Sequence, residues 1–320
     1  MRKIFLFLFL FSFSINAAAY GQELNSRPKS MAFPDKSKDK VLQAMIKETV
    51  PKFQQLTYKE KELELPCNIF LPEGYPGENK YPLLVFIADA SIVGKDPQAP
   101  LRQGYGGIIW ATNEFQAKHK CIIAVPQFPE TILDDRESYS ITDYVYNTGN
   151  LIRALITGFK VDPDRVYVTG QSMGCMTFLV LAAQNPDLFA AELFVSGQWD
   201  VRQLVGLKYQ KFFYVTAEGD QRASTGQRAL MKMFKEDHVP FSRADGWDAK
   251  MSQEDYTKAM NTILMGNPSA NFVQFRLGTV LDERIPVGTS EHMYSFDYAY
   301  KIDALRDWLF RQNRKDKKAR

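Results

Sequence analysis

The sequence predicts an α/β fold, a mostly parallel sheet with helices on both faces. Three observations lead there. Continuous apolar runs, "PLLVFI" at 82–87, "KCIIAVPQ" at 120–127 and "RVYVTG" at 165–170, have the form of strands buried on both faces. Segments with helical spacing alternate with these runs along the chain. A Gly170-x-Ser172-x-Gly174 pattern falls where one such strand gives way to a helix.

The 320 residues, 45% of them hydrophobic, can bury a sizeable core as one unit. The start, "MRKIFLFLFLFSFSINAAAYGQ", has basic Arg2 and Lys3, an apolar run from Ile4 to Ile15 and small residues at Ala17 to Ala19. That is the form of a secretory signal peptide (residues 1–21), cleaved after Ala19 or Gly21. No cysteine stands at the junction, so no lipid anchor is expected. A soluble protein, secreted or periplasmic, is the expectation. Residues 22–40 are a polar lead-in, 41–314 the expected α/β domain and 315–320 a basic tail.

Within the domain, Leu63, Leu65, Cys67 and Ile69 alternate as on a strand that ends by Pro72. The runs at 82–87 and 120–127 follow. Thr142-Asp143 then caps a helix carrying Val145, Leu151, Ile152, Leu155, Ile156 and Phe159 at helical spacing. Val166 to Thr169 is a buried strand, and "CMTFLVLAAQNP" is an apolar helix stopped at Asn185-Pro186. "AAELFVSG", "KFFYVTAEG" and "NFVQFRLG" are three more strands. "FDYAYKIDALRDWLFRQ" is one closing amphipathic helix.

Several function classes drop out. The net charge of +3 comes largely from the last ten residues, "RQNRKDKKAR", read as a solvated tail rather than a nucleic-acid or membrane patch. Cys67, Cys121 and Cys175 each sit in an apolar stretch and are expected as buried free thiols. With three histidines and no Cys/His cluster, no metal site and no cofactor are expected. "GYGGIIW" at 104–110 lacks the Gly-Lys-Ser/Thr ending of a phosphate loop.

Ser172 sits where chemistry needs a nucleophile. A tight strand-to-helix turn pushes its oxygen out at the end of the sheet, and the helix start aims N–H groups at a developing oxyanion. A serine needs a base. His119 and His238 lie in polar surroundings and are expected at the surface. His292, in "VGTSEHMYSFDYAY", lies between the last strand and the last helix. In "KFFYVTAEGDQRAS" the acid follows an intervening strand, with Asp220 preferred, Glu218 second and Glu291 weaker. In "GQWD", Trp199 suits either an aromatic platform for a sugar or aryl acyl group or a core position. Gln171 and Gln198 are candidate donors nearby.

These stretches resemble the α/β-hydrolase superfamily. The chain is similar to exported bacterial esterases and predicted peptidases, to the feruloyl and acetylxylan esterases of carbohydrate esterase family 1, and to prolyl oligopeptidase catalytic domains. The likeness runs from about Leu65 to Gln312. It implies Ser172 as nucleophile, Asp220 as acid and His292 as base. One stretch departs from the pattern, with Ala88-Asp89-Ala90-Ser91 standing where the family carries His-Gly. By register, Ala90 and Met173 supply the oxyanion N–H groups, and Asp89 is expected to point away. The resemblance implies a serine hydrolase acting on carboxylic esters, on a small molecule or a polysaccharide. A serine peptidase and a non-catalytic binding protein are the alternatives.

Overall fold

Each central strand carries apolar side chains on both faces, so burying it takes a helical layer on each side. The computed structural model describes residues 33–136, 138–286 and 288–317. The expected signal peptide, most of the lead-in and the last three tail residues lie outside that range.

The described residues begin with helix α1 (Lys40–Thr49) and strands β1 (Gln54–Glu60), β2 (Leu63–Phe70) and β3 (Tyr81–Ile87). Two short helices, α2 (Ala99–Arg102) and α3 (Asn113–Lys118), lead to β4 (Ile122–Pro126) and a small hairpin of β5 (Leu133–Asp134) and β6 (Ser140–Ile141). Then come α4 (Asp143–Gly158), β7 (Val161–Gln171), α5 (Met173–Gln184), β8 (Ala191–Val195), β9 (Phe212–Ala217) and α6 (Gln221–Glu236). Strand β10 (Phe241–Trp247), α7 (Gln253–Ile263), β11 (Ala270–Phe275), α8 (His292–Tyr300) and α9 (Asp303–Phe310) complete it.

Nine strands form one sheet in the order β1-β2-β4-β3-β7-β8-β9-β11-β10. The pairs β1–β2 and β2–β4 are antiparallel and the others parallel. Period-two alternation divides the core. Leu83, Val85 and Ile87 of β3 join the layer holding α4, α5 and α6, whereas Leu84 and Phe86 join the layer holding α8 and α9. Helix α5 is the most enclosed, with every residue from Met173 to Ala182 buried.

Two strands of the large sheet escape the sequence reading, as do the two short strands of the hairpin. β1 and β10 are the edges of the sheet, half exposed and rich in polar residues, so they lack the continuous apolar run that marks the center. Two expectations need correction. The closing helix is two helices, α8 and α9, broken at Lys301-Ile302. Thr142 precedes α4 without capping it, and its hydroxyl donates to the Ile132 carbonyl at 3.1 Å.

The tail departs from the solvated reading as far as it is described. Arg314 and Lys315 both reach Asp164, each at 2.8 Å. Lys317 packs inward, donating to the Pro186 carbonyl at 3.2 Å and lying 3.9 Å from the fully buried Glu192. Burial pushes the Glu192 carboxyl up and the Lys317 ammonium down. The acidic partners come from the β7 strand and the start of β8, far away in sequence, which is why a charge run alone could not reveal them. The cysteines are all free and buried, and burial pushes the thiols of Cys67 and Cys121 up to about 12. No helix among the described residues is long and apolar enough to cross a membrane.

Tyr167 ties the last helix to the sheet. Its fully buried hydroxyl donates toward the carbonyls of Phe310 at 3.2 Å and Gln312 at 2.7 Å. Replacing Tyr167 with Phe removes that donor and keeps the ring, and should lower unfolding free energy by about 1–2 kcal/mol in urea melts.

Candidate active site

The site forms at the carboxyl ends of the parallel strands. Ser172 lies between β7 and α5 with φ 50° and ψ −111°, a strained conformation for a residue with a side chain. Close packing holds it there. A Cβ on Gly174 would stand 2.0 Å from the Ile87 carbonyl oxygen, and one on Gly170 would stand 2.4 Å from the Gly174 backbone. The Ser172 N–H donates to the Val195 carbonyl at 3.0 Å, and the Gly174 N–H to the Ala88 carbonyl at 3.1 Å. Strands β3, β7 and β8 thus converge on the turn.

Ser172 Oγ lies 2.8 Å from His292 Nε2, and His292 Nδ1 lies 2.6 Å from Asp220 Oδ2. A carboxylate only accepts, so Nδ1 carries the proton and Nε2 is free to receive the serine's. His292 is the first residue of α8 rather than part of a loop. Asp220 is 3% exposed and its second oxygen accepts the Ala223 N–H at 3.2 Å, capping α6. Burial lowers the His292 pKa, but the hydrogen bond and charge of Asp220, aided by the charge of Asp89, outweigh it and leave the imidazole above its ordinary value.

The other acids at this edge have different partners. Glu218 is exposed and accepts the Leu277 N–H at 3.1 Å. Glu291 is 1% exposed. It accepts N–H groups from Gly219, at 2.8 Å, and Gly278. This joins the histidine, the acid loop and the loop after β11. Nothing in the sequence assigns Glu291 that task, since both partners are backbone groups on other elements.

Met173 opens α5, so its N–H has no acceptor within the helix. Ala90 opens a single 3₁₀ turn, and Asp89 caps that turn at Ser91. The Gly174–Ala88 bond sets these two segments side by side. Asp89 Oδ2 accepts from Gln171 Nε2 at 2.9 Å and also from Gln103, so its carboxylate is engaged away from that pair.

Three residues expected near the substrate have hydrogen-bond partners within the protein, and for Trp199 the core alternative holds. Gln171 is 2% exposed and its amide nitrogen donates to Asp89 and to Gln103 Oε1, so it is spent on internal bonds. Gln198 donates to Asp135 Oδ2 at 2.6 Å and accepts from the Tyr139 hydroxyl at 3.4 Å. Trp199 is a core residue, 3% exposed, with its indole N–H on Gln203 Oε1 at 3.1 Å. Its ring supports Tyr139 edge-on at 5.2 Å, and Tyr139 is the partly exposed aromatic. Asp135 pins this hairpin loop to the site by accepting from both Gln198 and Arg222, each at 2.6 Å. Away from the site, His119 is half-buried between Phe115 and Phe310 and bonds Asp307 at 2.8 Å, which corrects its expected surface role. No group of three or more metal-ligating side chains occurs among the described residues.

Known proteins agree with this architecture. The prolyl oligopeptidase family model matches residues 127–233, a third of the chain, taking in Ser172 and Asp220 but not His292. No curated protein matches the chain. A thermostable esterase structure aligns with a TM-score of 0.67 at 24% identity, covering 83% of this chain and 64% of its own. The chain therefore spans less than two thirds of that neighbor. A feruloyl esterase module from Clostridium thermocellum in complex with sinapinate aligns at 0.55 and 13% identity, covering 81% of this chain and 87% of its own. A ferulic acid esterase aligns at 0.51 and 13%, over 80% and 98%. These likenesses establish the α/β-hydrolase fold.

Gly174→Ala should be the most damaging single-methyl change at the site. Its Cβ meets backbone, so relief requires moving β3 or α5. A loss of at least about 3 kcal/mol in thermal or urea unfolding, or no soluble protein, is the expected result.

Proposed function

We propose that this protein is a serine hydrolase that cleaves carboxylic esters through an acyl-enzyme. The observation that carries the reading is the line from Ser172 Oγ through His292 to Asp220, at 2.8 and 2.6 Å. Ser172 attacks the ester carbonyl while His292 Nε2 takes its proton. Asp220 holds the imidazole in the correct tautomer and stabilizes its charged form. The N–H groups of Met173 and Ala90 receive the oxyanion. His292 returns the proton to the leaving alcohol, and water then releases the acid by the same route. Every group in this scheme belongs to the chain itself.

An acyl or feruloyl group on a polysaccharide is the substrate class we favor. Support comes from the feruloyl esterase likeness and from Tyr139, a partly exposed ring on the loop pinned to the site. The second reading, a serine peptidase, draws on the prolyl oligopeptidase match. Export to the periplasm or medium is part of the proposal, supported by the pattern from Arg2 to Ala19.

Three outcomes test the reading. A fluorophosphonate should label Ser172, as mapped by mass spectrometry, and His292→Ala should abolish labeling and lower ester turnover by about 10⁴-fold or more. Absence of labeling in the folded wild type would overturn the proposal. The base works only when His292 is neutral, so kcat/KM should rise with pH through an acid limb set by His292. That limb should lie above its ordinary value near 6.5, because the carboxylates favor the charged form. In a side-by-side assay, aryl acyl esters should turn over much faster than matched peptide amides; equal rates would favor the peptidase.

A further inference from the structure

Asp89 occupies an unusual place for an acid. It lies one residue before Ala90, on the segment whose N–H faces a forming oxyanion, and a bare negative charge there would oppose catalysis. It is 2% exposed. Its surroundings form a closed set of donors. Oδ1 accepts the Ser91 N–H at 2.8 Å, while Oδ2 accepts Gln171 Nε2 at 2.9 Å and Gln103 Nε2. Gln103 Nε2 also reaches Ser91 Oγ at 3.0 Å, and Gln103 Oε1 accepts from Gln171 Nε2 at 3.0 Å. Three segments meet at this carboxylate: the loop after β3, the end of α2 and the last residue of β7, directly before Ser172.

We propose that Asp89 is a positioning residue for the oxyanion hole, gathering Ser91, Gln103 and Gln171 around its carboxylate to fix the Ala90 N–H beside Met173 and to hold its own charge off the reacting oxygen. This rests on the serine-hydrolase reading. It explains why an acid is compatible with a stretch where the resembling family carries His-Gly. Gln171 links the two halves of the site, because the residue that braces Asp89 immediately precedes the nucleophile.

The charge of Asp89 also reaches the base. His292 is faced by Asp220 and Arg222 from the α6 side and by Asp89 from the β3 side, and both acids favor its protonated form. Tyr300, on α8, also feels the charge of Asp89. Neutralizing Asp89 moves the base's titration through lost charge alone, whereas a fall in kcat at unchanged KM reads the positioning of the oxyanion donors.

The test uses the full chain, p-nitrophenyl acetate as probe, and pH profiles from about pH 5 to about pH 9. Asp89→Asn should lower kcat about 100-fold with KM changed less than about twofold. Its acid limb should shift to lower pH, because a charge favoring imidazolium has gone. Gln103→Leu keeps that charge while removing one brace, so it should lower kcat and leave the limb in place. An Asp89→Asn enzyme with wild-type kcat, or one whose loss lies in KM rather than kcat, would overturn the proposal. Should that variant fail to fold, wild-type kcat in Gln103→Leu would overturn it equally. Wild-type protein labeled by fluorophosphonate alongside unaltered variants sinks this inference alone. Wild-type protein neither labeled nor active sinks the hydrolase reading and this one with it.

Discussion

The turn at Ser172 is the constraint on which the rest of the site depends. Its backbone sits in a region that disfavors any side chain, at a cost of about 1–3 kcal/mol. It persists because surrounding structure over-determines it. The N–H groups of Ser172 and Gly174 are held by β8 and by the loop after β3, and α5 packs so closely that a Cβ at Gly174 finds no room. Gly197, at the end of β8, makes a similar approach, since a Cβ there would lie 2.8 Å from the Ser172 carbonyl oxygen. The same closeness that strains the serine leaves its oxygen exposed to the imidazole and lays the Met173 and Ala90 segments together.

Around that turn, the acidic residues are sorted by the donors that reach them. Asp220 has an imidazole N–H and one helix-start N–H. Glu291 has two backbone N–H groups. Asp89 has a backbone N–H and two glutamine amides. Asp135 has a glutamine and an arginine. Identical chemistry thus divides into one carboxylate bonded to the imidazole and others bonded to the loops, each at this edge having donors for its oxygens. The start of α8, the loop after β9, the loop after β3 and the hairpin are each tied by at least one carboxylate.

Much of this was legible in the sequence. The central strands could be read because burial on both faces demands continuous apolar runs, and the elbow because its glycines stand at fixed spacing around Ser172. Asp220 and His292 could be named because each follows a readable strand, and chain order narrows the candidates. What the sequence by itself determined is the part of the protein encoded by local pattern: an α/β sheet, a serine at its carboxyl edge and the short set of residues able to serve it. Only the tertiary structure decided which polar side chains are spent on one another. Gln171, Gln198 and Trp199 look available in the sequence and are engaged internally, while Glu291 and Gln103 look ordinary and hold the site together. The physical reason is that a hydrogen bond between residues 68 or 72 positions apart leaves no periodic trace. It exists only once the fold has brought their segments together at the carboxyl edge of the sheet.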